Sequence, residues 1–207
     1  MIQKGLIVGL LEVNCYILGD EDTREAVVID PGGDEDEILE VLNYNKFQLK
    51  LIIDTHGHFD HVDANQPLKE ATGAKIAIHE LDAPALSQPS QEALFFTGNR
   101  LRRSEADILL KEDDILTFGK YRLKVIHTPG HTPGSISLVL ENHTYVYVGD
   151  LLFAGSIGRT DFPGGDYGAL INAVRTKIFP LGDNYTVFPG HGPVTTVAQE
   201  RKYNPFF

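Results

Sequence analysis

The chain has 207 residues, 42% hydrophobic and 23% charged, which is the make-up of an ordinary soluble globule and excludes a disordered one. Eighteen Lys and Arg against twenty-nine Asp and Glu leave a formal charge of −11, which disfavours nucleic acid and anionic membranes as partners. The lone Cys15 has no internal disulfide partner, Met1-Ile2-Gln3-Lys4-Gly5 opens no signal peptide, and no run approaches the roughly 20 apolar residues that span a bilayer. These features predict one cytoplasmic domain over residues 1–207, with room for two similar halves.

In chain order, short β-rich runs come first, at Gly5–Gly9, Val13–Leu18 and Ala26–Ile29. Pro31-Gly32-Gly33 breaks the pattern, and Asp34 is placed to cap a helix carrying Ile38, Val41 and Leu42. Leu49–Ile53 is a further strand, followed by a helix from about Val62 to Thr72 closed by Gly73, and a strand at Lys75–Ile78. Residues 80–112 read as short helices and loops, in which Leu94-Phe95-Phe96 and the basic group Arg100, Arg102 and Arg103 suggest either a lid over the substrate or, equally, a helix packed against the sandwich. Strands then return at Ile115–Phe118, Tyr121–Ile126, Ile136–Leu140 and Tyr145–Val148. A helix from Tyr167 to Phe179 carries Leu170, Ile171, Val174 and Ile178 on one face and meets Pro180 at its end. A last strand, Tyr185–Phe188, precedes a terminal helix that Thr195 or Thr196 can cap. Many strands with few helices predict mixed sheets between helices.

Four of these strands end in loops rich in metal-ligand types. They are Ile53-Asp54-Thr55-His56-Gly57-His58-Phe59-Asp60-His61, Thr128-Pro129-Gly130-His131, Val148-Gly149-Asp150 and Phe188-Pro189-Gly190-His191. Neutral imidazole suits zinc and iron, and a carboxylate adds charge and can bridge two ions. Residues 56, 58 and 60 recur at period two and would project to one side of an extended stretch, while Asp60 and His61 diverge toward neighbouring positions. His131, Asp150 and His191 supply donors that one loop cannot. Three histidines and an aspartate in six residues outweigh the ordinary explanation of a packed core histidine. That ordinary explanation suffices for His79, His127 and His143, and turn formation is the first explanation for Asp30, with support of a ligand as the second.

The run Thr-His-x-His-x-Asp-His, followed in order by His131, Asp150 and His191, resembles the metallo-β-lactamase superfamily over nearly the whole chain. The segments Pro129–Ser135, Gly149–Phe162 and Glu200–Phe206 look like its glyoxalase II branch, in the short form without a C-terminal helical domain. The resemblance implies an αββα sandwich, two mixed β-sheets flanked by helices. It implies that His56, His58 and His131 hold one divalent metal, Asp60, His61 and His191 a second, and that Asp150 bridges them. Zinc is the first expectation for both ions, with iron, manganese or a mixture as the others. The implied activity is thioester hydrolysis by a metal-bridging hydroxide, with Asp60 orienting it; Arg159 could meet an anionic substrate group or equally form a structural ion pair, and the place of Asp30 suits support of a ligand. Only sixteen residues follow His191, so the basic glutathione grip of the longer form is missing and thioester chemistry is better supported than glutathione specificity. The runner-up is a mononuclear iron persulfide dioxygenase using His56, His131 and Asp150. A lactonase, a β-lactamase or a nuclease of the same superfamily follows, and a non-catalytic binding module is opposed by the complete ligand set.

Overall fold

The computed structural model describes residues 1–88 and 102–207. The chain divides into two compact units, Met1–Leu110 with Thr117–Tyr121, and Lys111–Leu116 with Arg122–Phe207.

In the first unit a six-stranded sheet runs in sequence order: β1 (Ile2–Val8), β2 (Val13–Gly19), β3 (Glu25–Ile29), β4 (Gln48–Ile53), β5 (Lys75–His79) and β6 (Ile108–Leu110). The first three strands are antiparallel and the last four parallel. Parallel pairing needs crossovers. Helix α1 (Glu35–Tyr44) links β3 to β4, and α2 (Phe59–Val62) with α3 (Asn65–Thr72) links β4 to β5. Apolar, β-branched strand residues such as Ile17, Val28, Ile52 and Ile76 form the core with Ile38, Leu42 and Leu68 of the helices. The register Ile29↔Ile53 sets the loops after β3 and β4 side by side at the carboxyl ends of parallel strands, where open α/β sheets collect functional groups.

Three expectations change here. The helix foreseen over Val62–Thr72 is two helices, because the Ala64 amide bonds the Pro31 carbonyl at 2.9 Å and draws the chain out of the helical path. Asp34 precedes α1 as foreseen but caps nothing. It holds φ 50° and ψ 46°, and its carboxylate accepts the Gly9 amide at 2.8 Å. The segment read as short helices and loops does contain α4 (Ala83–Ser87), but Ile108–Leu110 pairs with β5 as a strand too short to show a period. Leu94, Phe95, Phe96 and Arg100, and with them the lid, lie outside the described residues.

The second six-stranded sheet has β7 (Ile115–Phe118), β8 (Tyr121–His127), β9 (Ile136–Leu140), β10 (Tyr145–Gly149), β13 (Thr186–Pro189) and β14 (Thr195–Thr196), in the order β14-β13-β10-β9-β8-β7. A small hairpin, β11 (Leu152–Phe153) with β12 (Ser156–Ile157), follows β10. The parallel β10–β13 pair is bridged by α5 (Tyr167–Ala173). The helix foreseen to run to Phe179 keeps its path, with Leu170, Val174 and Ile178 buried, but widens to a π turn over Val174–Ile178 and tightens to a 3₁₀ turn over Phe179–Leu181. Pro180 explains the change, since it lacks an amide hydrogen and its ring crowds the carbonyl four residues back. Thr196 caps α6 (Val197–Tyr203), accepting the Gln199 amide at 3.2 Å. Among the described residues no helix is long and apolar enough to cross a membrane.

Candidate metal centre

In the first unit the donors sit on the loop after β4. His58 is still extended, at φ −71° and ψ 144°, but the chain turns into α2 at Phe59. Asp60 and His61 are therefore helical, which corrects the expectation of an extended run through residue 60. His56 and His61 are fully buried, and Asp60 keeps 10% side-chain exposure. The Nε2 of His56 lies 3.1 Å from the Nδ1 of His58. Two nitrogens on one tetrahedral zinc, each bound at about 2.0–2.1 Å, lie roughly 3.3 Å apart. His61 Nε2 and Asp60 Oδ2 are 3.6 Å apart, longer than a hydrogen bond and suited to two donors of one ion.

Asp30 orders this loop. Its Oδ1 accepts the Thr55 amide at 2.7 Å and its Oδ2 accepts the Thr55 hydroxyl at 2.7 Å. With that hydroxyl donating to Asp30, its oxygen accepts Nδ1–H of His56 at 3.1 Å, and Asp30 Oδ2 takes Nδ1–H of His61 at 3.1 Å. Both rings are thus assigned the tautomer that leaves Nε2 as a lone-pair donor. Asp30 does this from φ 52°, a left-handed conformation that Asp tolerates better than most residues. Asp54, on the same loop, is fully buried, accepts Asn65 Nδ2 at 2.8 Å and has its carboxyl pushed up well above the usual range by that burial.

In the second unit Asp150 Oδ2 lies 3.6 Å from His131 Nε2 and 3.7 Å from His191 Nε2, again beyond hydrogen-bonding distance. His131 is buried and donates Nδ1–H to the Arg159 carbonyl at 2.8 Å, which frees its Nε2 as a donor. The β11–β12 hairpin turns the chain back to make this contact. Gly158 is required there, since a Cβ would sit 1.8 Å from the Asp150 carbonyl oxygen. The Arg159 guanidinium makes a bidentate pair with Asp161 at 2.9 and 2.8 Å and covers the Phe162 ring at 3.5 Å. That pair draws the Asp161 carboxyl down to about 2. His191, on the loop after β13, keeps 27% side-chain exposure, against 13% for Asp150.

The donor set fits a divalent metal. Imidazole nitrogens and carboxylate oxygens stand at donor-to-donor spacings, with the rear nitrogen of His56, His61 and His131 tied back. All seven residues belong to His/Asp clusters capable of holding a metal ion. Three contributors escaped sequence reasoning: the Thr55 hydroxyl, the Arg159 carbonyl and Asp82, which accepts the Gly57 amide at 2.9 Å. Thr55 and Arg159 stand inside recognised segments, but their parts depend on partners 25 and 28 residues away. The other histidines bond backbone. His79 Nδ1 accepts the Leu81 amide at 3.3 Å, His127 Nε2 donates to Pro133 O at 2.8 Å, and His143 Nδ1 donates to Glu141 O at 3.0 Å. Cys15 is fully buried, and burial pushes its thiol well above the usual range, so no nucleophile is offered there.

Two mixed sheets flanked by helices, with His and Asp donors on the loops that follow strands, define a metal-binding α/β fold. The chain belongs to the metallo-β-lactamase superfamily, whose model matches residues 8–191. It is 38% identical to hydroxyacylglutathione hydrolase GloC of Haemophilus influenzae, over 93% of this chain and 92% of that one. The crystal structure of BLEG-1 B3 metallo-β-lactamase superposes with a TM-score of 0.93 at 36% identity, covering 99% of both chains. That of TTHA1623 in a di-iron-bound form superposes with a TM-score of 0.87 at 34% identity, covering 99% of this chain and all of the other. The fold class foreseen from sequence is thereby established.

Proposed function

We propose that this chain is a glyoxalase II-like thioesterase, cleaving S-acyl-glutathione of the S-lactoylglutathione kind or a related acyl-thiol. The residues that would hold two divalent metal ions per chain are His56, His58 and His131 for one and Asp60, His61 and His191 for the other, with Asp150 as the shared ligand. Zinc is the first candidate, and iron, manganese or a mixed pair are the others. The observation that carries this reading is the three His–Asp pairs at 3.6–3.7 Å, with Nδ1 of His61 and His131 bonded behind. The similarity to a hydroxyacylglutathione hydrolase supports the substrate class, and a relative in di-iron form supports two ions.

Bound ions of this kind supply Lewis acidity to a carbonyl oxygen and bring the pKa of water toward neutrality. The chain's own residues do the rest. Asp60, besides serving as a ligand, would orient the attacking water by accepting a hydrogen bond from it. Asp30 and Thr55 hold His56 and His61 in the tautomers that ligation needs. Cys15 offers no nucleophile, being fully buried. Arg159 receives an anionic substrate group by exchanging it for Asp161. The partners are small molecules, with no role for nucleic acid or membrane.

The test compares Asp60→Ala, His191→Ala and His56→Ala for thioester hydrolysis, bound metal, and oxygen uptake with glutathione persulfide. Hydrolysis should fall at least about a hundredfold in all three, the scale of losing one strong transition-state stabiliser. Oxygen uptake that needs His56 but survives loss of Asp60 and His191 would instead establish the mononuclear dioxygenase.

A further inference from the structure

Gly57 lies between two proposed ligands, so the orientation of its peptide sets the spread of His56 and His58. Asp82 occupies the position before α4, where a carboxylate ordinarily accepts an amide of the helix's own first turn. It makes no such bond. Its Oδ2 instead accepts the Gly57 amide at 2.9 Å, and the residue is only 5% exposed. The start of α4 is also pressed against that peptide: a Cβ on Gly57 would stand 2.7 Å from Ala85 Cβ and 3.0 Å from the Asp82 carbonyl oxygen. Glycine alone fits that gap, and the Asp82 carboxylate fixes which way its peptide faces.

We propose that Asp82 is a positioning residue that locks the His56-Gly57-His58 loop in its ligand geometry through the Gly57 amide. The inference rests on the two-metal reading. A carboxylate is the fitting group, because a charged acceptor makes a shorter and stronger bond to an amide than a neutral one. Its burial shields that bond from competing water. A purely structural Asp82 would tie α4 to the loop for folding and leave the metal indifferent to its loss.

The experiment uses the full chain loaded with cobalt(II), reading affinity by competition with a chelating dye and geometry by the visible absorption bands. Asp82→Ala should weaken binding at least about tenfold, the lower end for loss of a group that orients ligands, and should alter the bands. Asp82→Asn keeps an acceptor oxygen and should stay within about threefold of the parent with parental bands. Parental affinity and bands in Asp82→Ala, or equal weakening in both variants, would overturn the proposal. His58→Ala separates the two levels of inference. If the parent binds cobalt and His58→Ala loses it, the metal reading stands and the Asp82 result is judged alone. If cobalt binding ignores His58, the metal reading falls and this inference with it. Should Asp82→Ala fail to fold, amide exchange at Gly57 in the metal-free parent decides. Protection well above that of an open loop supports the lock, and free exchange overturns it.

Discussion

At the scale of single residues, one carboxylate governs two imidazoles. Asp30 reaches His61 directly and His56 through the Thr55 hydroxyl, so the three form a unit whose members act together. Thr55→Val removes the relay while keeping the shape, and should weaken metal binding about tenfold in dye competition. Thr55→Ser, with the hydroxyl restored, should recover most of that loss. No difference between the two would show that the relay is idle. The sequence made the proposed ligands legible because their spacing is local and their types are rare. Thr55 was hidden because a threonine beside a histidine carries no signal until the partner strand supplies Asp30. Cys15 gives a second residue-scale prediction. Its raised pKa means that burial of the neutral thiol is fully compatible with folding below the unfolded-chain value of about 8.5. That contribution erodes as pH climbs from there toward the raised folded value. Native protein at pH 8 should therefore resist a thiol reagent that labels it fully in denaturant; rapid native labelling would contradict the burial.

At the scale of elements, the sequence was read best where the chain obeys its local signals. The parallel strands β3, β4 and β5 announce themselves by apolar, β-branched runs, and Thr196 caps α6 as its position suggests. Thr196→Ala should cost about 1 kcal/mol. In a chain of this size that is a fall in melting temperature of roughly 2–4 °C. Thr195→Ala is a different loss, since its hydroxyl donates to the buried Glu200 carboxylate at 2.5 Å. An unchanged melting temperature for Thr196→Ala would show that the helix end is held by its packing. Elements were misread where tertiary bonds override local preference. Asp34 has the right residue type for a cap, but its carboxylate is drawn to Gly9, 25 residues away. The break between α2 and α3 comes from a bond to the Pro31 carbonyl, which no helical period encodes. β6, β11, β12 and β14 are two or three residues long, below the length at which alternation can be seen.

At the scale of the whole molecule, the proposed ligands are shared out between the two compact units, four in the first and three in the second. The sequence showed this division as four similar strand-end loops spread along the chain, and the resemblance supplied the common architecture. Metal bound as proposed would raise the stability of the fold, because a ligand that binds only the folded form stabilises it by mass action. At a thousand times its dissociation constant the gain is about 4 kcal/mol. Removing metal with a chelator should lower the melting temperature, and amide exchange should quicken in two separate places. One is the loop after β4, in the first unit; the other is the loops after β8, β10 and β13, in the second. Asp150→Ala should reproduce the second-unit change even with metal in excess, and should also quicken exchange around His56 and His61, which it does not adjoin in sequence. Chelation that quickens exchange in one unit alone would mean that only that unit binds metal, and an Asp150→Ala effect confined to the second unit would mean that each unit keeps its own ion. Either outcome would overturn the proposed two-metal reading and leave the thioesterase proposal without its chemistry.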